Sequence, residues 1–117
     1  LPIKIFILNN QYMGMVRQWQ ELLHEKNYSE SYTAALPDFV KLAEAYGCVG
    51  IQATKPDELD EKINEMINTK EPVIFDCRVD PAENCFPMIP SGKPHNQMLL
   101  GPEDEKEEVS DEGKTLV

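Results

Sequence analysis

Apolar positions along the chain fall into two kinds of run. Three short runs rich in β-branched and aromatic residues predict strands, the first of them buried on both faces; they are Ile3–Leu8, Cys48–Ala53 and Pro72–Val79. Elsewhere apolar residues recur at the three- and four-residue spacing of amphipathic helices. The three predicted helices carry Tyr12, Met15, Val16, Trp19, Leu22 and Leu23; Phe39, Leu42, Ala43 and Tyr46; and Leu59, Ile63, Met66 and Ile67.

Local signals mark the ends of these helices. Asp38 is predicted to lie in the first turn of the second helix, and Gly47 suits the left-handed position that follows it. Thr54 is predicted to cap the third helix. Glu58 and Lys62 are spaced to form an i,i+4 ion pair on its wet side.

The resulting order, β-α-α-β-α-β, predicts an α/β fold with parallel strands joined by helical crossovers. Three strands make a small sheet, so we interpret residues 1–80 as the C-terminal half of a larger domain with a doubly wound parallel sheet. Residues 81–100 contain four prolines. Because proline disfavours a helix interior, this segment is predicted to be an extended C-terminal arm.

Charge and composition restrict the classes of partner that this chain can bind. The 117 residues include 11 Lys and Arg against 21 Asp and Glu, a formal charge of −10, which argues against nucleic acid or an anionic membrane surface. No apolar stretch is long enough to span a membrane. Residues 101–117 carry seven acidic residues and two lysines, and we predict a disordered, solvated tail. A functional acidic arm is the alternative.

A candidate site follows the first strand. Asn9 and Asn10 come at the carboxyl end of this strand, where open parallel sheets bind ligands. The next helix begins close by, and its free N–H groups favour a phosphate, while Gly14 permits close approach. Asparagine oxygen suits Mg²⁺, which often bridges protein and diphosphate. The alternative is that the Asn pair forms a plain turn.

The sequence around these residues is more specific than the pair alone. The segment Ile7–Gln20, ILNNQYMGMVRQWQ, closely resembles the end of the thiamine-diphosphate motif in catalytic subunits of acetohydroxyacid synthase (acetolactate synthase). Leu36–Gly47 is similar to the stretch that follows it there, and Phe86–Gly92 is similar to that family's C-terminal arm. The resemblance runs in register from residue 1 to residue 100. It implies a thiamine-diphosphate-binding fold.

The resemblance also implies roles for individual residues. Asn10 is expected to bind Mg²⁺ through its side-chain oxygen, and Tyr12 through its backbone carbonyl. The backbone of Met13, Gly14 and Met15 is expected to lie near the cofactor diphosphate. The family motif opens further upstream with Gly-Asp-Gly, whose Asp supplies another ligand, and this sequence does not contain that half.

The resemblance also implies a substrate channel. Met15, Val16 and Trp19 match positions that line the channel to the reacting carbon, with Trp19 helping to select the second keto acid. From periodicity alone, the same residues are interpreted as core. Arg17 is either a channel residue or part of a solvated face.

The implied reaction condenses pyruvate with pyruvate or 2-ketobutyrate in branched-chain amino-acid biosynthesis, with thiamine diphosphate and Mg²⁺ as cofactors. FAD is also implied, bound mostly outside this segment. The implied partners are further catalytic subunits, in a homodimer or tetramer, and a small regulatory subunit, in the bacterial cytoplasm. The activating glutamate belongs to the partner subunit. No catalytic residue is therefore expected in this chain, and the isolated chain is expected to be inactive.

Two other interpretations stay open. A different thiamine-diphosphate enzyme, of the pyruvate oxidase or glyoxylate carboligase type, shares the Asn pair, but the Met-Val-Arg-Gln-Trp that follows is not expected there. A stand-alone, non-catalytic domain of this fold is the second. A Gly-Asp-Gly motif upstream of Leu1 would argue against it.

Overall fold

The computed structural model describes residues 1–33 and 35–102. Its strands are β1 (Lys4–Asn9), β2 (Val49–Ala53) and β3 (Val73–Arg78), and its helices are α1 (Gly14–Leu23), α2 (Phe39–Ala45) and α3 (Leu59–Asn68). Single 3-10 turns lie at Pro56–Glu58 and His95–Gln97. The predicted order of strands and helices is confirmed.

The described residues form two compact units. The first comprises Leu1–Tyr12 and Thr33–Ala82, with all three strands, α2 and α3. The second begins at Met13, runs to Tyr32 and continues from Glu83, so it contains α1 and most of the arm. Nothing in the periodicity of the sequence indicated this division.

The first unit is built on a parallel sheet in the order β1-β3-β2. Side chains alternate between the two faces of a strand, and Val73, Phe75 and Cys77 of β3 share one buried face. They form the core with Ile51 and Ala53 of β2. Three residues of α3 pack against this core, namely Leu59, Ile63 and Met66.

The opposite face of the sheet approaches α2 closely at Gly50 of β2. A β-carbon at this position would lie 2.7 Å from the Val40 Cα and 2.8 Å from its carbonyl oxygen. Because backbone cannot give way as a flexible side chain can, a larger residue here would push α2 off the sheet.

The prediction that β1 is buried on both faces is wrong. Within residues 1–33 and 35–102, β1 pairs with β3 alone and lies at an edge of the three-stranded sheet. Ile5 and Leu8 are 48% and 68% exposed, whereas Asn9 at its end is buried. An apolar run of this kind indicates a strand but does not distinguish a central strand from an edge strand.

Two predicted helix starts need correction. Asp38 does not lie in the first turn of α2 but is its N-cap, and its side chain accepts a hydrogen bond from the Lys41 N–H at 3.1 Å. Thr54 does not cap α3. A 3-10 turn precedes that helix, with Lys55 as its cap and Pro56 as its first residue, a position that proline favours.

The ion pair predicted on α3 is also different. Lys62 does not pair with Glu58 but contacts Glu65, at 2.9 Å between Nζ and Oε2. This hydrogen bond, followed by the attraction of the same carboxylate, raises the pKa of Lys62. The Gly47 prediction is confirmed, since its φ is +70° after α2.

The arm, in the second unit, is less extended than predicted. Met88 and Leu99 form an antiparallel bridge, with backbone N–H···O distances of 2.9 and 2.7 Å. The chain returns between them through Gly92, which has φ +77°. The arm contains no α-helix within its described part, although His95–Gln97 makes one 3-10 turn. The predicted acidic tail falls mostly on residues 103–117, outside the described residues.

In the described ranges, 1–33 and 35–102, every helix is too short or too polar to cross a membrane.

The Asp38 cap makes the stability of α2 depend on pH. The Lys41 backbone hydrogen bond, and then the charge of Lys41, lower the pKa of Asp38 below its ordinary value of 3.8. A depressed folded-state pKa contributes stability above the unfolded value and loses it as pH falls through the folded value. We expect Asp38→Ala to lower the melting temperature at neutral pH and to match the unaltered chain in strong acid.

Asp38→Asn is the matched control, because asparagine caps helices well without titrating. Its melting temperature should stay near that of the unaltered chain at neutral pH. Melting curves followed by circular dichroism across the acid range check both variants. A constant gap between Asp38→Ala and the unaltered chain through the acid range would contradict the assignment.

Candidate functional site

The chain turns sharply where β1 ends. Asn9 is buried, and its Oδ1 accepts a hydrogen bond from the Gln11 backbone N–H at 3.1 Å. Gln11 has φ +62°, in the left-handed region that residues other than glycine rarely adopt. Its carbonyl accepts hydrogen bonds from the Thr33 N–H at 2.9 Å and the Thr33 hydroxyl at 2.7 Å. The turn is therefore held by side chain and backbone together, at the carboxyl edge of the sheet.

The two asparagines of the turn differ in what their amides contact. Both ends of the Asn9 amide are hydrogen-bonded, since its Nδ2 also donates to the Asp76 Oδ1 at 2.7 Å. Asn10 is half-buried, and its Oδ1 accepts the Tyr12 N–H at 3.2 Å. An amide oxygen has two lone pairs, so this hydrogen bond leaves acceptor capacity on Asn10.

The donors of this turn fit a hard divalent cation. The Asn10 side-chain oxygen and the Tyr12 carbonyl are neutral oxygen ligands of the type that Mg²⁺ accepts alongside phosphate and water. A cavity of about 180 Å³ adjoins them, lined in part by Thr33, Leu36 and Phe39. The described ranges hold no cluster of three His, Cys, Asp or Glu side chains able to bind a metal. The turn thus suits a metal that a diphosphate helps to hold.

In the second unit, Met13, Gly14 and Met15 begin α1. Met13 is the N-cap, its side chain makes no capping hydrogen bond, and the first turn has no acidic residue. The first-turn N–H groups therefore lack a side-chain cap, as at helix N-termini that bind anions. Gly14 places no side chain between this backbone and a ligand.

One side of α1 borders an apolar cavity of about 230 Å³. Met15, Val16 and Trp19 line it together with Gln20 and His24. Met15 and Val16 are 53% and 41% exposed, so their interpretation as core is wrong. Thioether, isopropyl and indole groups favour the apolar part of a small ligand.

The buried side of α1 is polar, which its hydrophobic pattern does not predict. Arg17 is 5% exposed, so its interpretation as part of a solvated face is wrong. It forms an ion pair with Glu21, donates to the Asn84 side chain at 3.2 Å and lies over the Tyr28 ring. A cluster of this kind fixes the helix rather than reacting.

Gln18, the next residue, joins α1 to the arm. Its Oε1 accepts the Cys85 N–H at 2.8 Å, and its Nε2 donates to the Cys85 carbonyl at 3.0 Å. The same Nε2 lies 3.1 Å from the Met88 sulfur. Gln18 is 1% exposed, and it binds the arm backbone as a neighbouring strand would.

The Cys77 thiol is not activated. Burial raises the pKa of the Cys77 thiol, and the neighbouring Asp76 carboxylate raises it further. A thiol of this kind stays protonated and is a poor nucleophile. Cys48 and Cys85 are also free, and Cys48 is half-buried whereas Cys85 is exposed.

Comparison with known proteins places this geometry in a family. The family model described as "Thiamine pyrophosphate enzyme, C-terminal TPP binding domain" matches residues 1–77. That range includes the Asn9–Asn10 turn, all of α1 and all but the last residue of β3.

Proteins similar to this chain include acetolactate synthase subunits. The large subunit from Cyanidium caldarium is 50% identical over 100 residues, covering 85% of this chain and 17% of that protein. The large subunit from Haemophilus influenzae is 43% identical over 107 residues, covering 91% and 19%. The mitochondrial catalytic subunit from Saccharomyces cerevisiae is 42% identical over 109 residues, covering 92% and 16%. The chain thus spans less than a fifth of each of these relatives.

Proposed function

This chain belongs to the thiamine pyrophosphate enzymes, through their C-terminal TPP-binding domain, and from that premise we propose that it is the cofactor-binding part of an acetolactate synthase catalytic subunit. The reaction would condense pyruvate with a second pyruvate or with 2-ketobutyrate. The Asn9–Asn10 turn carries the proposal, because Asn9 holds the turn while Asn10 keeps a lone pair for a ligand.

In this proposal, Asn10 and Tyr12 hold Mg²⁺, and the backbone of Met13, Gly14 and Met15 binds the diphosphate. The uncapped first turn of α1 supports the second assignment, since its N–H groups favour an anion. When bound, thiamine diphosphate supplies the electron sink for keto-acid decarboxylation. The residues of this chain position it and contribute no acid, base or nucleophile.

Met15, Val16 and Trp19 would line the path of the substrates. Their cavity is mostly apolar, which suits the alkyl group of a keto acid. Trp19 is half-buried, so its ring position is restricted by packing. We propose that this ring helps to select the second keto acid by the size of its alkyl group.

The remaining parts of the site would come from outside this segment. They include the Asp of the upstream Gly-Asp-Gly, the activating glutamate of a partner subunit and most of the FAD contacts. A homodimer or tetramer of catalytic subunits with a small regulatory subunit, in the bacterial cytoplasm, completes the proposal. The isolated chain would then be inactive.

A chimaera tests the proposal. Residues 1–100 would replace the matching segment of the Haemophilus influenzae large subunit, with the parent subunit and the isolated 117-residue chain assayed beside it. We expect acetolactate formation that requires thiamine diphosphate and Mg²⁺ in the chimaera, and none in the isolated chain.

Each alternative gives a different result in the same assay. A cofactor-dependent product other than an acetohydroxy acid would favour another thiamine-diphosphate enzyme. A folded chimaera that binds the cofactor but forms no product would favour a non-catalytic domain. Turnover by the isolated chain would contradict the assignment of missing groups to other segments.

A further inference from the structure

Asp76 is a carboxylate buried in the middle of the central strand. It is 1% exposed and lies between Phe75 and Cys77, with its side chain on the face opposite theirs. Burying a carboxylate is costly unless it is paired, and an apolar residue of similar size often serves a core as well or better. This charge therefore indicates a role other than stability.

The two oxygens of Asp76 contact different strands. Oδ2 accepts a hydrogen bond from Gln52 Nε2 of β2 at 2.9 Å and forms an ion pair with Arg78 Nε, on β3 itself, at 3.2 Å. Oδ1 accepts Asn9 Nδ2 at 2.7 Å from the end of β1. Asp76 is paired across the sheet with Ile7 of β1 and Gln52 of β2. The side chains of these three residues therefore lie on the same face of the sheet.

These contacts fix the orientation of the Asn9 side-chain amide. A carboxylate only accepts hydrogen bonds, so Asn9 must turn its NH₂ toward Asp76 and its oxygen away. That oxygen accepts the N–H of Gln11, the left-handed residue of the turn. The orientation of Asn9 thereby shapes the segment that contains Asn10 and Tyr12.

We infer that Asp76 is a positioning residue of the proposed magnesium site. Through Asn9 and Gln11 it keeps the Asn10 side-chain oxygen and the Tyr12 carbonyl in a ligating arrangement, without contacting the ion. The identity of the ion rests on the proposed function, whereas the hydrogen-bonded relay belongs to the chain itself. Loss of a group that is hydrogen-bonded to a metal ligand costs about 10- to 100-fold in metal affinity or activity. Asp76 acts at least one hydrogen bond further from the ion, and we expect a loss at the lower end of that range.

Asp76→Asn tests the relay in the 117-residue chain. If the new amide keeps its oxygen toward Gln52 and Arg78, its NH₂ faces the NH₂ of Asn9. Asn9 then loses this contact, or flips and turns its NH₂ toward the Gln11 N–H. We expect hydrogen exchange at the Gln11 amide, measured by NMR, to become about tenfold faster or more.

Two further variants separate the relay from general destabilisation. Gln52→Ala removes a hydrogen bond from the same carboxylate but leaves Asn9 in place, so exchange at Gln11 should stay near that of the unaltered chain. Asn9→Asp combined with Asp76→Asn exchanges the carboxylate and the amide. The hydrogen bond between positions 9 and 76 and the hydrogen bond from the Gln11 N–H to position 9 can then both form again. We expect this double variant to restore slow exchange. Should Asp76→Asn fail to fold, Asn9→Asp alone removes the donor to Asp76 while keeping an oxygen that can accept the Gln11 N–H, and exchange at Gln11 should again become faster.

Cofactor binding tests the magnesium role in the full subunit that contains this segment. Titration calorimetry with thiamine diphosphate at graded Mg²⁺ should show an apparent Mg²⁺ affinity weakened about tenfold or more in Asp76→Asn. The affinity should be unchanged in Gln52→Ala and recovered in the double variant. Equal losses in Asp76→Asn and Gln52→Ala would overturn the inference.

The failures of the two proposals are distinguishable. Normal Mg²⁺-dependent binding in the unaltered subunit, with the same affinity in Asp76→Asn, would overturn the positioning role alone. Absence of such binding in the unaltered subunit would overturn the proposed function, and the magnesium role of Asp76 with it.

Discussion

Replacing Asn10 with alanine, in the full subunit proposed to contain this segment, is expected to raise the Mg²⁺ concentration for half-activation by at least about tenfold. The melting temperature of the apoprotein should stay nearly unchanged. The first effect follows because even an outer-shell partner of a metal costs about 10- to 100-fold when removed, and Asn10 is proposed as a direct ligand. The second follows because Asn10 lies in a turn and is not part of the core.

Two variants control this experiment. Asn10→Asp keeps a hard oxygen at the same place, so it should keep most of the Mg²⁺ affinity. Asn64→Ala removes an asparagine from the exposed side of α3 and should change neither quantity. An unchanged half-activation value in Asn10→Ala would make Asn10 a turn residue and nothing more.

The fold was predictable because each strand and helix has a clear local period. The three strands and three helices lie where the apolar positions placed them, and Gly47 has the left-handed backbone expected of it. Helix starts were less predictable, because Asp38, Thr54 and Pro56 offer overlapping capping signals. Only the backbone geometry shows that Asp38 caps α2 and that a 3-10 turn precedes α3.

The periodicity of apolar residues does not predict contacts between segments that are distant in the sequence. The exposure of β1 depends on the sheet order, and strand sequences alone do not encode that order. Arg17 and Gln18 are polar, so a hydrophobic pattern assigns them to the wet side of α1, yet both are buried. Arg17 donates to Asn84 and Gln18 donates to Cys85, and each of these partners lies 67 residues further along the chain.

The candidate site was predictable in part for a different reason. The Asn pair stands out because it ends a strand at the edge where ligands bind. One feature of the sequence does point to the residue that supports this turn: Asp76 is the single acidic residue in β3, among apolar residues. The sequence does not show, however, that the Asp76 side chain contacts Asn9. Buried charges in apolar strands are places where local rules are broken, and such places often serve a site.

Gln18→Ala should release the arm from α1. The substitution leaves the N–H and the carbonyl of Cys85 without their partners, and it removes the contact to the Met88 sulfur. Loss of such hydrogen bonds costs about 2 kcal/mol in the free energy of opening this segment, since water replaces them only in part. Hydrogen exchange at the Cys85 amide should therefore become markedly faster.

Gln20→Ala is the matched control, with the same substitution on the same helix. The Gln20 side chain donates to the Ser29 carbonyl on the exposed side, so the Cys85 amide should exchange as before. Equal exchange rates at Cys85 in the unaltered chain and in Gln18→Ala would show that the arm is held by its apolar side chains instead.

In the full subunit, the same variant separates two roles for the arm. We predict that the arm is a lid that shields the reaction from water, and lids often limit turnover. Gln18 joins the arm backbone to the helix that carries Met15, Val16 and Trp19, so loosening it should disturb the proposed substrate path as well. We expect Gln18→Ala to lower turnover and cofactor retention together, as truncation before Pro81 should. If the truncated subunit keeps normal turnover while Gln18→Ala loses it, then Gln18 acts by positioning α1, and the arm is packing rather than a lid.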